Sequence, residues 1–405
     1  MKQTFLVALA ASMLLLMFCS IGGCSKEGDD PFPDPAVEAA VREALDKPSG
    51  DITRSDLEQI TVLDISGWAE DPSGLEYCTN MTSLNISLRN ANNISVLASI
   101  PNLESLGLSI FNIRNLTPLV KLSHLEYVSI TIPSRNEVSD ISPITSLAGL
   151  RYLDICWNKV SDISPLSSLD KLIYLDIAWN KVRDISPIDG LAELQYLDIS
   201  RNQVSDISPL SNLDKLVYMD LSENSISSIN ALGSLTNSQT LNLAENEIID
   251  ISALSNMNQL TRLDLSSNQI TDLTPLCNLT KLEDLDINKN NVQGISALSS
   301  LTKLIDLDSR ENQIGDISAL ENCRELEDID LRSNNISDIS ALADLPKLSK
   351  VYLDDNNISD LKPLVENTEF AGDSATLWVQ GNPLSATSLN VYLNQLEERG
   401  VEVWW

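Results

Sequence analysis

The stretch from Leu150 to Lys171 reads LRYLDICWNKVSDISPLSSLDK, and its frame recurs along most of the chain with a period of 22 residues. Its asparagine returns without a shift in spacing, at Asn158, Asn180, Asn202, Asn224, Asn246, Asn268, Asn290, Asn312, Asn334 and Asn356. A fixed period of roughly 20–50 residues is typical of stacked repeats rather than of one globular core. The sequence therefore predicts a solenoid, in which each 22-residue unit forms one coil.

Each coil is expected to contain one short strand and one short helical turn. Leu153 and Ile155 alternate as in a strand, which directs Asp154 to the opposite face. Asn158 ends the strand, and its amide is expected to bond the backbone of adjacent coils. Ser164-Pro165 then begins the helical turn, with the serine predicted as its cap and the proline at its first position.

This L-x-x-L-x-L-x-x-N-x-L pattern is identified as that of the leucine-rich repeat. It implies an α/β solenoid of about 15 coils, with a parallel sheet on the concave face and short 3-10 or irregular segments on the convex face. Less regular coils precede the main block, with strands near Leu63, Leu84, Leu106 and Val128. A three-residue insertion is expected around residues 133–136, and the solenoid is expected to span residues 61–366.

Both ends of the solenoid are expected to carry caps, which cover the core that an open end would expose. Residues 36–60 form the predicted N-terminal cap, with an amphipathic helix over residues 35–46 and a capping box between Thr53 and Asp56. Residues 367–405 form the predicted C-terminal cap. It contains a helix over residues 386–399, a stop at Gly400 and a last edge strand over residues 401–405.

Residues 35–366, with their DISPL-like segments behind a helical cap, resemble the internalin group of bacterial surface proteins. The resemblance implies a concave face that grips a protein. The sequence shows neither an immunoglobulin-like domain nor a sorting signal after the repeats, and these departures do not support carrying over a role in host invasion.

The first 23 residues are predicted to be a lipoprotein signal peptide. Lys2 precedes a mostly apolar run over residues 5–18, and Ile21-Gly22-Gly23-Cys24 resembles a lipobox in which Cys24 is lipidated. Residues 24–35 are predicted to be a flexible tether. An ordinary secretory peptide or a short uncleaved anchor are the alternatives. The expected location is the cell envelope, outside the cytoplasm, with membrane contact through the lipid alone.

Composition excludes several classes of function. The chain has 27 Lys and Arg residues against 58 Asp and Glu residues, for a formal charge of −31. Nucleic acid is excluded as a partner because binding it requires many cationic side chains. The cysteines that follow Cys24, namely Cys78, Cys156, Cys277 and Cys323, match no zinc pattern. His124 is the only histidine and no catalytic motif is present, so neither enzymatic activity nor a metal or cofactor is expected.

The concave face is expected to carry the binding site. Tyr152, Tyr174, Tyr196, Tyr218, Trp157 and Trp179 are predicted to form an aromatic stripe, with Asp154, Asp176, Asp198 and Asp220 beside it. Repeat duplication explains the tyrosines and aspartates equally well. The acidic row suggests a cationic partner, a bound cation, or neutralisation by nearby basic residues, which the C-terminal half supplies at Arg262, Lys289, Arg310, Arg332 and Lys350.

Three functions remain open from the sequence. The first is recognition of a protein partner, possibly one with a basic surface. The second is recognition of a glycan, with aromatic rings against sugar faces and carboxylates on hydroxyls. The third is a structural spacer in the cell envelope with no specific ligand.

Overall fold

A computed structural model of the protein describes residues 32–89, 94–110, 113–131 and 137–405. The predicted signal peptide, Cys24, most of the tether and the insertion at residues 133–136 lie outside the described residues. In the described part, no helix combines the length and the apolar character needed to cross a membrane.

Sixteen parallel strands form one sheet, in which spatial order follows chain order throughout. The predicted leucine-rich-repeat solenoid is therefore confirmed. The strands, β1 to β16, are Val62–Ala69, Ser83–Leu88, Ser105–Ile110, Tyr127–Thr131, Tyr152–Asp154, Tyr174–Asp176, Tyr196–Asp198, Tyr218–Asp220, Thr240–Asn242, Arg262–Asp264, Asp284–Asp286, Asp306–Asp308, Asp328–Asp330, Lys350–Tyr352, Thr376–Trp378 and Glu402–Trp404.

The register of the sheet places equivalent residues of successive coils side by side. Tyr152 lies beside Tyr174, and Asp154 lies beside Asp176, with the same pairing between later coils. Because neighbouring parallel strands are about 4.8 Å apart, side chains at one repeat position form a continuous column across the concave face.

One apolar core fills the interior of the coils from end to end. In the coil that begins at Leu150, Leu153, Ile155 and Val160 are fully buried, and their counterparts in other coils join the same cluster. Burying each such side chain contributes about 1.5–3 kcal/mol. The interior strand positions thus fix which residues face outward.

The asparagines form a hydrogen-bonded ladder between coils. Asn180 donates through Nδ2 to the carbonyls of Ile155, Ile177 and Ala178 at 3.0–3.1 Å. Its Oδ1 accepts the backbone N–H of Val160, in the preceding coil, at 2.9 Å. The side chain thereby satisfies backbone groups that the turn leaves without partners inside the core.

The convex side consists mainly of 3-10 helices. They span Leu75–Tyr77, Ser95–Ser99, Thr117–Lys121, Ser142–Ser146, Ser164–Ser168, Ser186–Ile188, Ser208–Asn212, Asn230–Ser234, Ser252–Asn256, Thr274–Leu276, Ser296–Ser300, Ser318–Asn322 and Ser340–Leu342. The prediction that serine caps these turns was wrong. Ser164 is the first helical residue, and Asp162 Oδ1 accepts its backbone N–H at 2.8 Å. The cap position falls on Ile163, so the Ser164 hydroxyl is one residue too late to accept the N–H groups that a cap binds.

The N-terminal cap consists of two helices, α1 (Pro35–Ala44) and α2 (Arg54–Leu57). Asp34 caps α1 by accepting the backbone N–H of Ala36 at 2.8 Å. The capping box predicted between Thr53 and Asp56 is present at α2.

In the last coil of the solenoid, α3 (Lys362–Glu366) takes the place of the 3-10 helix, and the C-terminal cap contains a π-helical turn (Ser388–Tyr392) and α4 (Leu393–Glu398). Gly400 follows α4 with a φ of +86°, a conformation that glycine adopts without strain. The chain then ends in β16, the edge strand that the sequence predicts.

Candidate functional site

The concave face carries a column of stacked tyrosines. It consists of Tyr127, Tyr152, Tyr174, Tyr196 and Tyr218, whose neighbouring ring centroids lie 4.0–4.3 Å apart at interplanar angles of 15° or less. The rings between the two ends of the column cover one another's faces, so they present edges and hydroxyl groups. Burial raises the pKa of the Tyr174 hydroxyl, which therefore remains a neutral hydrogen-bonding group.

A second aromatic stack lies at the C-terminal ends of the strands. The rings of Trp157 and Trp179 are 3.8 Å apart, and the guanidinium of Arg201 lies 3.8 Å from the Trp179 ring centroid. Arg201 also forms an ion pair with Glu223. Trp179 nevertheless remains 37% exposed, so the stack offers an apolar edge beside the tyrosine column.

The two tryptophans occupy a left-handed backbone position, with φ values of 58° and 56°. Bulky residues rarely adopt this conformation. The equivalent residues of later coils, such as Arg201 and Ser267, have the same conformation. The left-handed conformation is therefore a property of this repeat position, which two of the coils fill with tryptophan.

Asp154, Asp176, Asp198 and Asp220 form the aspartate ladder. Each Oδ1 accepts the backbone N–H of the residue two positions later, at 2.9–3.2 Å. Asn242 makes the same contact with Ala244 at 3.0 Å. This turn-forming role explains part of the acidic row, and the sequence analysis missed it because it considered only the charge.

The aspartate ladder is not neutralised by basic side chains. Within residues 137–405, none of its four carboxylates forms an ion pair. Burial, followed by the charges of Asp154 and Asp198, raises the pKa of Asp176 to about 8. Burial likewise raises the pKa values of Asp154 and Asp198. Removing nearby water and adding like charges both disfavour ionisation.

In the C-terminal half, basic side chains neutralise fewer aspartates than the sequence suggested. Arg310 lies 3.6 Å from Asp308, and Arg332 forms a two-pronged contact with Asp330 at 2.9 and 3.0 Å. Arg262 and Lys350 instead contact Asp284 and Asp328, which lie at the strand position that the tyrosine column occupies in earlier coils. The predicted neutralisation by basic residues is therefore right for Asp308 and Asp330 only. Asp286 has no basic partner within residues 137–405, and burial raises its pKa to about 7.

An aromatic cluster near the C-terminal cap was missed by the sequence analysis. Tyr352, Trp378 and Trp404 lie in the register of the aspartate ladder, with ring centroids 6.1 and 5.0 Å apart. The spacing between successive members is 26 residues instead of 22. A search for side chains at equivalent strand positions, rather than at a fixed period, would have found the cluster.

One group of described side chains has the spacing of a metal site. The Asp154 and Asp176 carboxylates and the Cys156 thiol lie within 4.8 Å of one another. Burial, then the charge of Asp154, raises the pKa of that thiol, so it stays protonated as long as no cation is bound. His124 is exposed in a connecting segment, where its Nδ1 lies 3.2 Å from the Pro101 carbonyl. The four cysteines of the described residues are free thiols, and Cys78 and Cys323 are buried as expected.

Comparison with known proteins gives one sequence family and several related structures. A family model described as a leucine-rich repeat region matches residues 112–372. The structure of the internalin InlF from Listeria monocytogenes is 33% identical, covers 84% of this chain and 94% of the internalin, and gives a TM-score of 0.70. No significant match was found among curated protein sequences.

Two more distant structures share the fold. The functional domain of InlJ from Listeria monocytogenes is 19% identical, with a TM-score of 0.69 over 86% of this chain and 80% of that domain. The plant peptide hormone receptor RGFR1, in complex with RGF2, is 21% identical, with a TM-score of 0.61 over 78% of this chain and 57% of the receptor.

Proposed function

Because the chain belongs to the leucine-rich-repeat family and is an internalin-like member of it, we propose that it is a non-enzymatic binding protein of the cell envelope. It recognises a protein partner with a basic surface. Contact is made by the tyrosine column, by Trp157 and Trp179, and by the aspartate ladder. Leucine-rich-repeat folds are common scaffolds for protein–protein interaction, and the plant receptor in complex with RGF2 has the same fold.

The observation that carries this proposal is the unneutralised aspartate ladder beside two aromatic stacks on one open face. Half-buried carboxylates without basic partners, of which Asp176 keeps its proton up to about pH 8 in the free protein, favour a ligand whose positive charge stabilises their ionised forms. Tyrosine and tryptophan provide large contact areas with little loss of side-chain entropy, and they are enriched where binding energy concentrates. Together they favour a partner surface rich in Lys and Arg.

A glycan is the alternative ligand, and ring geometry argues against it. Sugars bind aromatic side chains through the ring faces. The faces of Tyr152, Tyr174 and Tyr196 are covered by their neighbours, and Arg201 covers one face of Trp179 while Trp157 covers the other. A structural spacer, the remaining alternative, would not need the face to be open at all.

The partner proposal is tested with the chain from Lys26 onward, which retains every described residue. We expect it to capture a protein from envelope extract by crosslinking, and to bind that purified protein more weakly as salt increases. The double variant Asp154→Asn/Asp176→Asn should weaken this affinity at least about tenfold, since both carboxylates face the basic surface. Titration calorimetry measures the change, and Trp157→Ala/Trp179→Ala should cause a similar loss.

The matched control is Asp284→Asn/Asp306→Asn, which replaces the same number of carboxyl groups on the same sheet but away from the aspartate ladder. It should change affinity less than about twofold. Equal losses in both double variants would show a non-specific charge effect and contradict the proposed site. A glycan-array signal that resists salt and disappears in the tryptophan variant would replace the protein partner by a glycan.

We also propose that a lipid on Cys24 holds the protein to the membrane. In cells fed a labelled fatty acid, the wild-type protein should carry the label and fractionate with membranes. Cys24→Ser should abolish the label and release the protein, because a single cysteine accepts the lipid. Cys78→Ser is the matched control and should leave labelling unchanged. Label retained in Cys24→Ser would refute the anchor.

A further inference from the structure

A pocket of about 470 Å³ opens on the C-terminal half of the concave face. Lys289, Arg310 and Arg332 line it together with the ring of Trp378. Its Arg310 follows β12, four strands beyond Asp220 at the end of the aspartate ladder, which is about 19 Å at the usual strand spacing. The pocket is therefore separate from the residues assigned above to the basic partner surface.

The basic groups of this pocket are incompletely paired. The Nε of Arg310 is buried and has no hydrogen-bond partner among the described residues. Arg310 forms two ion pairs that are too long for hydrogen bonds, from Nε to Asp308 at 3.6 Å and from Nη1 to Asp330 at 3.8 Å. Lys289 is exposed and forms no ion pair within residues 137–405. A buried donor without an acceptor is unfavourable, so a shift of the Arg310 guanidinium toward an anion in the pocket would supply the missing hydrogen bond.

Arg332 is held in place at the side of the pocket. It is fixed to Asp330 by the two-pronged contact, and its guanidinium lies 5.2 Å from the ring centroid of Tyr352. Trp378 continues the aromatic cluster from Tyr352. The pocket is thus already organised, while the Nε of Arg310 and the ammonium of Lys289 have no hydrogen-bond acceptor among the described residues.

Shape and charge of the pocket select the kind of anion. A guanidinium presents its N–H groups in a planar fork that matches a carboxylate. Glu311, Asp354 and Asp355 stand at the rim. They repel a doubly charged phosphate more strongly than a singly charged carboxylate. The same acidic rim suits a protein segment in which basic residues flank the acidic one.

We propose that this pocket receives the carboxylate of an Asp or Glu side chain of the protein partner, against Arg310 and Lys289. The inference rests on the proposed function, since it assigns a second contact to the same partner. The concave face then binds a surface that is basic at the aspartate ladder and acidic at the pocket. A partner with that charge order can bind in one direction only.

The pocket is tested without the partner, using N-acetylglutamate methylamide, which has one side-chain carboxylate, as the probe. In the chain from Lys26 onward, the ¹H–¹⁵N resonance of Arg310 Nε, identified by its loss in Arg310→Lys, is followed during titration. We expect a saturable shift in the millimolar range, about the affinity of one such contact. The neutral N-acetylglutamine methylamide should give no shift, and methyl phosphate should bind more weakly.

Arg201 is the internal control, because its guanidinium is already stacked on Trp179 and paired with Glu223. Its resonance should not move. Lys289→Gln, at an exposed position, should weaken binding of the probe roughly threefold while the fold is retained. Equal shifts at both arginines, no saturation, or an unchanged affinity in Lys289→Gln would overturn the pocket. Tighter binding of methyl phosphate would overturn the assignment of a carboxylate. Because no partner is present, these results are independent of the capture experiment.

Discussion

Asn246→Ala is expected to lower the melting temperature by roughly 5 °C. The Asn246 side chain is 9% exposed and donates through Nδ2 to the carbonyls of Leu221, Leu243 and Ala244, each at 3.1 Å. Its Oδ1 accepts the N–H of Ile226 at 2.9 Å. Alanine removes all four contacts, and buried polar groups without partners cost about 1–3 kcal/mol each. Partial relaxation should leave a net loss of about 4 kcal/mol, measured by thermal unfolding followed by circular dichroism.

Asn158→Ala is the matched control for this substitution. Asn158 occupies the same repeat position and is also buried, but its Oδ1 has no partner among the described residues. One of its donor contacts, to the Ile130 carbonyl, is also long at 3.4 Å. Its replacement should therefore cost clearly less than that of Asn246. Equal losses would mean that the bond accepted from the preceding coil adds no stability.

Asp176→Asn is expected to stabilise the protein above neutral pH. The pKa of Asp176 is about 8 in the folded chain, against 3.8 for an ordinary aspartate. The folded state therefore holds a proton that the unfolded chain releases. By linkage, this contribution is fully present below about pH 4 and is lost as the pH rises through about 8. Asparagine stays neutral throughout and preserves the turn contact, as Asn242 does with Ala244.

We expect the variant to gain at least about 2 kcal/mol at pH 8.5, because each unit of pKa shift corresponds to about 1.4 kcal/mol. Its melting temperature should fall less between pH 5 and pH 8.5 than that of the wild type. Asp170→Asn, at an exposed position, is the control and should leave the pH profile unchanged. A parallel profile for Asp176→Asn would show that its carboxylate ionises normally in the folded protein.

Much of this molecule was predictable because its period is constant. With 22 residues per coil, Leu153, Leu175 and Leu197 must be neighbours in the core, and this fixes Tyr152 and Tyr174 as neighbours on the outer face. Shifting the register by one residue would turn every apolar side chain outward. The columns of equivalent side chains on the concave face could therefore be predicted from the spacing alone.

The details that escaped prediction depend on local competition between side chains. The helical turn begins at Ser164 itself, so Ile163 takes the cap position and the Asp162 carboxylate accepts the Ser164 N–H. Which aspartate a basic residue neutralises depends on the direction of a long flexible side chain. Arg262, for example, points to Asp284 and not to Asp264 on its own strand. Where the period changed, as between Tyr352 and Trp378, the repeat argument no longer applied.

The asparagine ladder has a direction along the chain. The N–H of Val160 is satisfied by Asn180 of the following coil, and the relation recurs until Ile358 donates to Asn382 in the C-terminal cap. A coil is therefore complete only after its successor has been added. A chain that emerges amino-terminus first can fold coil by coil with several N–H groups of the last coil, such as those of Ile155, Trp157 and Val160, waiting for the next one. The arrival of Asn382 satisfies the last donor of the asparagine series, which makes the C-terminal cap the closing step of this ladder.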